Sequence, residues 1–137
     1  MYSKILVPMA LDHDISPKTL AIANVLAAKG CEIIALHVHE EVQGSARAYL
    51  DEGTIEASLA RAKVAMAEKV VGMDNVTPVL VSGHSARTII DFANSNGIDC
   101  IVMGSHRPGL SDYVLGSTAA RVVRHAHCAV HVHRTTG

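Results

Sequence analysis

Five short apolar runs, each separated from the next by residues at helical spacing, constrain this 137-residue chain most tightly. KILVPMA (4–10), CEIIALHVH (31–39), NVTPVLVS (75–82), DCIVMG (99–104) and CAVHVH (128–133) read as strands, being β-branched or continuously apolar. Ser16-Pro17 supplies a cap and a first-turn proline for a helix carrying Ile22, Val25 and Leu26, which Gly30 is expected to stop. A polar stretch from Glu40 to Gly53 precedes a second helix with Ile55, Leu59, Ala62, Met66 and Val70 on one face, ended by Gly72. Ser85 is the expected cap of a third, which has Ile89, Phe92 and Ala93 on one face and Asn96-Gly97 at its close. A fourth helix runs from about Gly116 to Ala126.

Strands alternating with helices imply a parallel sheet covered on both faces. Pro78 cannot donate to a ladder, so the third strand belongs at an edge. The fifth sets Cys128, Val130 and Val132 against Ala129, His131 and His133, which also suits an edge. The first and fourth are apolar throughout Ile5-Leu6-Val7 and Ile101-Val102-Met103, as central strands are. Strand order 3-2-1-4-5 satisfies these placements with right-handed crossovers. The expected fold class is α/β: a doubly wound, Rossmann-like, five-stranded parallel sheet with helices on both faces. No repeat or linker divides the chain, so residues 1–137 are read as one domain.

Composition narrows the function. With 49% hydrophobic and 18% charged residues, general disorder is excluded. A net charge of −1 argues against nucleic acid or an anionic membrane as the main partner. Aromatics are 3% with no Trp, so base-stacking platforms are not expected. No apolar run approaches the roughly 18 residues of a membrane span, and the N-terminus lacks the pattern of a signal peptide. The expectation is a cytoplasmic protein without membrane insertion. Cys31, Cys100 and Cys128 are odd in number and form no CxxC, so they read as small hydrophobes.

In such a sheet, ligands collect beyond the carboxyl ends of the strands where the winding reverses, here between the first and fourth. Pro8-Met9-Ala10 and Gly104-Ser105-His106 lie there. The segment GSHRPGLSDYVLGST (104–118) follows, with Gly104 and Gly109 able to admit a ligand close to backbone. Gly116-Ser117-Thr118 opens a helix, where unpaired N–H groups and the positive dipole end favour an anion. Residues 104–137 carry four Arg and one Asp, +3, against −4 for the remainder. A glycine-rich loop before a helix can equally be a capped turn.

ILVPMA, LHVHE (36–40), VSGHSARTIIDFA (81–93) and VMGSHRPGLSDYVLGSTAARVVRHAHCAVHVHR (102–134) together resemble the universal stress protein family over essentially the whole chain. Many members bind ATP through G-x-x-G-x9-G-[ST] after the fourth strand. Gly104 matches its first glycine, and Gly116 with Ser117 its last pair. The resemblance implies that Pro8, Val38 and Met103 line an adenine and ribose pocket. The middle glycine has no counterpart, and the loop is one residue short. Ala10 stands where the family has a nucleotide-contacting Asp. The run Ser105-His106-Arg107-Pro108 is similar to a subgroup with nucleotide-bound members.

Nine histidines are unusual for this length. His37 with His39, and His131 with His133, each share a strand face, but the two strands are not neighbours and no acid or thiol completes a metal set. His39 is expected to face a polyphosphate or a second copy, and His106 to touch phosphate within the loop. No GxSxG elbow and no Walker lysine is present. With the resemblance, the expected function is an ATP-binding stress regulator, the nucleotide arriving with or without magnesium. Phosphates would meet backbone N–H groups around Gly104, Gly109, Gly116 and Ser117, the hydroxyls of Ser117 and Thr118, and Arg107 in place of the missing glycine. The alternatives are a nucleotide-free dimeric scaffold and a slow ATP hydrolase. A homodimer through the fifth strand, or a dimer of dimers, and a protein client such as a transporter are implied by the same resemblance.

Overall fold

The computed structural model describes residues 1–11, 17–40, 51–105 and 115–134. Strands β1 (Tyr2–Pro8), β2 (Ala27–Glu40), β3 (Val76–Gly83), β4 (Cys100–Gly104) and β5 (Ala129–His133) form one parallel sheet ordered β3-β2-β1-β4-β5. Helices α1 (Pro17–Leu26), α2 (Glu52–Lys69), α3 (Ser85–Ser95) and α4 (Ser117–His125) connect them. Topology, edge placement of Pro78 and the central position of β1 and β4 are as the sequence implies. Among the described residues, no helix is long and apolar enough to cross a membrane.

Alternation along the central strands sorts the core into two layers. Ile5, Val7, Ile33, Ala35, Cys100 and Val102 pack with Ala23 of α1 and with Met66 of α2. Leu6, Ile34, Leu36, Val38, Ile101 and Met103 pack with Ile89 and Ala93 of α3 and with Ala119 and Val122 of α4. Helices α1 and α2 therefore cover one face, α3 and α4 the other. Full burial of each large aliphatic side chain contributes about 1.5–3 kcal/mol, so these two layers supply the main drive for folding. Cys100 lies within the first layer, and burial pushes its thiol up to about 11.

Three local expectations are corrected. Gly30 does not stop α1, which ends at Leu26. The register between β1 and β2 jumps from Tyr2↔Ala27 to Lys4↔Glu32, and Gly30, at φ +80°, sits in the extra length of β2. Its left-handed backbone serves this irregularity. Helix α2 starts inside the polar stretch, at Glu52, because the Asp51 carboxylate accepts from the Thr54 N–H at 2.6 Å. That bond holds the Asp51 carboxyl below its ordinary range. Ser85 is not a cap: His84 occupies the N-cap and makes no side-chain capping bond, and Ser85 is the first helical residue. Its hydroxyl instead donates to Glu40 Oε1 at 2.7 Å. Ser16 and the segments 41–50 and 106–114 lie outside the described residues.

The turn from β3 into α3 depends on Gly83. Its φ is +149°, and a Cβ there would run into the Thr88 hydroxyl. Gly83→Ala should therefore destabilise the fold by about 1–3 kcal/mol, read as a lower urea midpoint at unchanged slope.

Candidate functional site

The carboxyl ends of β1, β2 and β4 open into a cleft of about 260 Å³. Pro8, Met9 and Ala10 form the end of the first strand's wall; Leu36, His37 and Val38 come from β2, and Met103 and Gly104 from β4. Ser85 and Ile89 of α3 and Thr118 of α4 close the side. The volume is just below the roughly 300–1,000 Å³ range of small-molecule sites, and the walls are mostly apolar. None of the described lining residues carries a carboxylate.

Backbone bonds define its rim. The Met9 N–H donates to the Leu36 carbonyl at 2.8 Å, carrying the β1–β2 pairing one residue beyond β1. Ser105, buried at the end of β4, donates its N–H to the His133 carbonyl at 2.9 Å. The Gly116 N–H donates to the Ser105 carbonyl at 3.1 Å, joining the two ends of segment 106–114. Gly116 is the N-cap of α4, and its carbonyl takes the first helical bond, from Ala120 at 2.8 Å. The N–H groups of Ser117, Thr118 and Ala119 thus precede the intrahelical ladder, at the positive end of the helix dipole.

Seven residues singled out from the sequence meet in the cleft: Pro8, Met9, Ala10, Val38, Met103, Gly104 and Thr118. Gly116 and Ser117 adjoin it at the head of α4, but the Gly116 N–H is already committed to Ser105, so Ser117 heads the open donors. His106, Arg107 and Gly109 lie outside the described residues. His39 does not face the cleft; its Nε2 lies 3.2 Å from the Ser58 hydroxyl of α2, because strand alternation turns it to the other face of the sheet. Four lining residues were not anticipated: Leu36, His37, Ser85 and Ile89. Leu36 and His37 directly precede Val38 and were within reach of the same argument. Ser85 and Ile89 had no local signal, since only the packing of α3 over β2 brings them there. Among the described residues, no three His, Cys, Asp or Glu side chains are grouped to hold a metal.

His131 and His133 divide sharply. His131 is exposed, whereas His133 is 5% exposed, with Nε2 2.6 Å from the Thr19 hydroxyl of α1 and Nδ1 buried without a partner. Burial lowers the His133 pKa; the Arg134 backbone opposes part of this, and Lys18 and His131 add to the lowering.

These features define a class: a doubly wound parallel α/β protein with a small-molecule cleft at its winding reversal and an anion-ready helix head beside it. The pattern of the universal stress protein family matches residues 1–134. Universal stress protein G of Salmonella typhimurium is 30% identical over 145 residues, covering 98% of this chain and 100% of that one. Among solved structures, universal stress protein UspA from Lactobacillus plantarum is 28% identical with a TM-score of 0.72, covering 96% of this chain and 97% of that one. The hypothetical protein MJ0577 is 25% identical with a TM-score of 0.79, covering 100% and 99%. The chain belongs to the universal stress protein family.

A buried histidine held below its ordinary range makes stability pH-dependent. The unfolded chain takes up the proton near 6.5 while the folded ring resists it, so the stability is fully present above that value and declines as pH falls below it. One such site gives a slope of at most about 1.4 kcal/mol per pH unit. His133→Leu, whatever its effect on absolute stability, should flatten the acid limb of a denaturation-midpoint profile below about pH 6.5; an unchanged limb would assign the dependence to other groups.

Proposed function

We propose that this protein binds an adenine nucleotide, ATP, in the cleft and acts as a nucleotide-dependent regulator in the stress response. One observation carries the reading: an apolar slot walled by Pro8, Val38 and Met103 lies beside Thr118 and the open N–H groups at the head of α4. The slot suits a planar base, and the helix head suits phosphate oxygens. Two further structures of this fold support it. A universal stress protein in complex with cAMP has a TM-score of 0.62 at 21% identity, and one from Archaeoglobus fulgidus in complex with dAMP has 0.56 at 18%.

In this reading Pro8, Val38 and Met103 pack the base and ribose, and Gly104 admits the sugar close to backbone. Ser117 and Thr118 offer N–H and hydroxyl donors to the phosphates. By the sequence reading, Arg107 would add charge, and His106 and Gly109 would contact phosphate. With no carboxylate among the described lining residues, magnesium would enter on the phosphates. The side chains supply shape and hydrogen bonds, which suits a binding switch rather than a catalyst.

A second copy is part of the proposal. Among the described residues, the outer edge of β5 has no strand partner, and Val130 and Val132 are only half-buried there. Such an edge invites pairing.

Titration calorimetry tests the nucleotide reading. ATP should bind at least tenfold more tightly than AMP, because the helix head addresses the outer phosphates. Gly116 is buried at φ −55°, a backbone any residue adopts, so Gly116→Val probes space alone and should abolish binding. Equal affinity for ATP and AMP, or unaltered binding by folded Gly116→Val, would contradict the cradle. For assembly, light scattering at micromolar concentration should report a dimer that Val130→Lys dissociates; a wild-type monomer would refute it.

A further inference from the structure

Met9, the first residue past β1, is tied to β2 through both of its backbone polar groups. Its N–H donates to the Leu36 carbonyl at 2.8 Å, and its carbonyl lies 3.0 Å from His37 Nδ1. A carbonyl only accepts, so Nδ1 must carry the proton and donate. Two successive residues of β2 thus clamp one residue of the cleft wall. Strand alternation puts the His37 ring on the same sheet face as Ile33 and Ala35, where Met9 also packs. The ring therefore acts from behind the wall rather than across the slot.

The clamped carbonyl belongs to the Met9–Ala10 peptide, which is trans because no cis bonds are present. In a trans peptide the N–H points opposite to the C=O. With the Met9 carbonyl drawn to His37, the Ala10 N–H is turned the other way, and Ala10 is exposed and lines the cleft. We propose that His37 is a positioning residue of the nucleotide site, holding the Met9–Ala10 peptide so that the Ala10 N–H is offered to an acceptor atom of the bound base or ribose. The proposal rests on the nucleotide reading above and gives Ala10 a backbone donor role, where resemblance alone points to a missing side-chain carboxylate.

The test compares wild type with His37→Asn, His37→Leu and Ala10→Pro. Asn places an amide N–H close to the position of Nδ1, Leu fills space without donating, and Pro deletes the Ala10 N–H while also fixing φ at that residue. ATP affinity should fall about tenfold in His37→Leu and in Ala10→Pro and stay within about threefold in His37→Asn. In ligand-free protein, the Ala10 amide resonance should move in His37→Leu and not in His37→Asn. Wild-type affinity in folded His37→Leu or Ala10→Pro would overturn the proposal, as would a His37→Asn as weak as His37→Leu. If His37→Leu does not fold, Ala10→Pro and His37→Asn decide between these outcomes. Wild type that binds no ATP would defeat the nucleotide reading, and the ligand-free Ala10 resonance would then judge the clamp alone.

Discussion

Strand β1 is paired on both edges and covered on both faces, and Ile5, Leu6 and Val7 retain at most 1% of their accessible surface. A parallel strand in that position can be reached only by crossovers that pass over opposite faces of the sheet. Here α1 and α2 pack on one face and α3 and α4 on the other. Winding must reverse between β1 and β4, and the helices that follow these strands diverge at their carboxyl ends. The cleft is the consequence of that divergence. Its apolar floor continues the second core layer, since Leu36, Val38, Ile89 and Met103 belong to both.

Polar groups around the cleft are arranged by the same constraint. Backbone that leaves a buried sheet must find new hydrogen-bond partners. Met9 finds Leu36 and His37, Ser105 finds His133, and Gly116 finds Ser105. These bonds bring the head of α4 beside the end of β4, with the N–H groups of Ser117, Thr118 and Ala119 ahead of the intrahelical ladder. In the proposed reading, anion affinity would be built from the chain's exit from the sheet, with little demand on particular side chains. Loss of the motif's middle glycine and of an acid at position 10 is easier to tolerate in such a site.

The legible parts of the sequence were those set by burial and backbone chemistry. Pro78 marked an edge because it has no N–H, and continuous apolar runs marked β1 and β4 because both of their faces are covered. Pro8 and Gly104 followed from strand ends at the reversal, whereas Val38 and Met103 came from the family resemblance. What was misread depended on longer-range geometry. Gly30 has the local signature of a helix stop but serves a register irregularity between β1 and β2. Ser85 has the residue type of a cap, yet Glu40, on the neighbouring strand end, takes its hydroxyl. His39 was assigned to the ligand side by its position along β2, whereas alternation turns it to Ser58. His131 and His133 share a strand face by spacing, yet only His133 is covered, by α1 through Thr19.

The central claim is that one ligand spans the apolar slot and the head of α4. Backbone amide resonances followed by NMR during titration with ATP test it directly. The account predicts that the largest changes fall together on Val38, Gly104, Ser117, Thr118 and Ala119, reaching saturation at a single concentration. Changes confined to the slot, changes confined to the helix head, or saturation elsewhere on the sheet would contradict it.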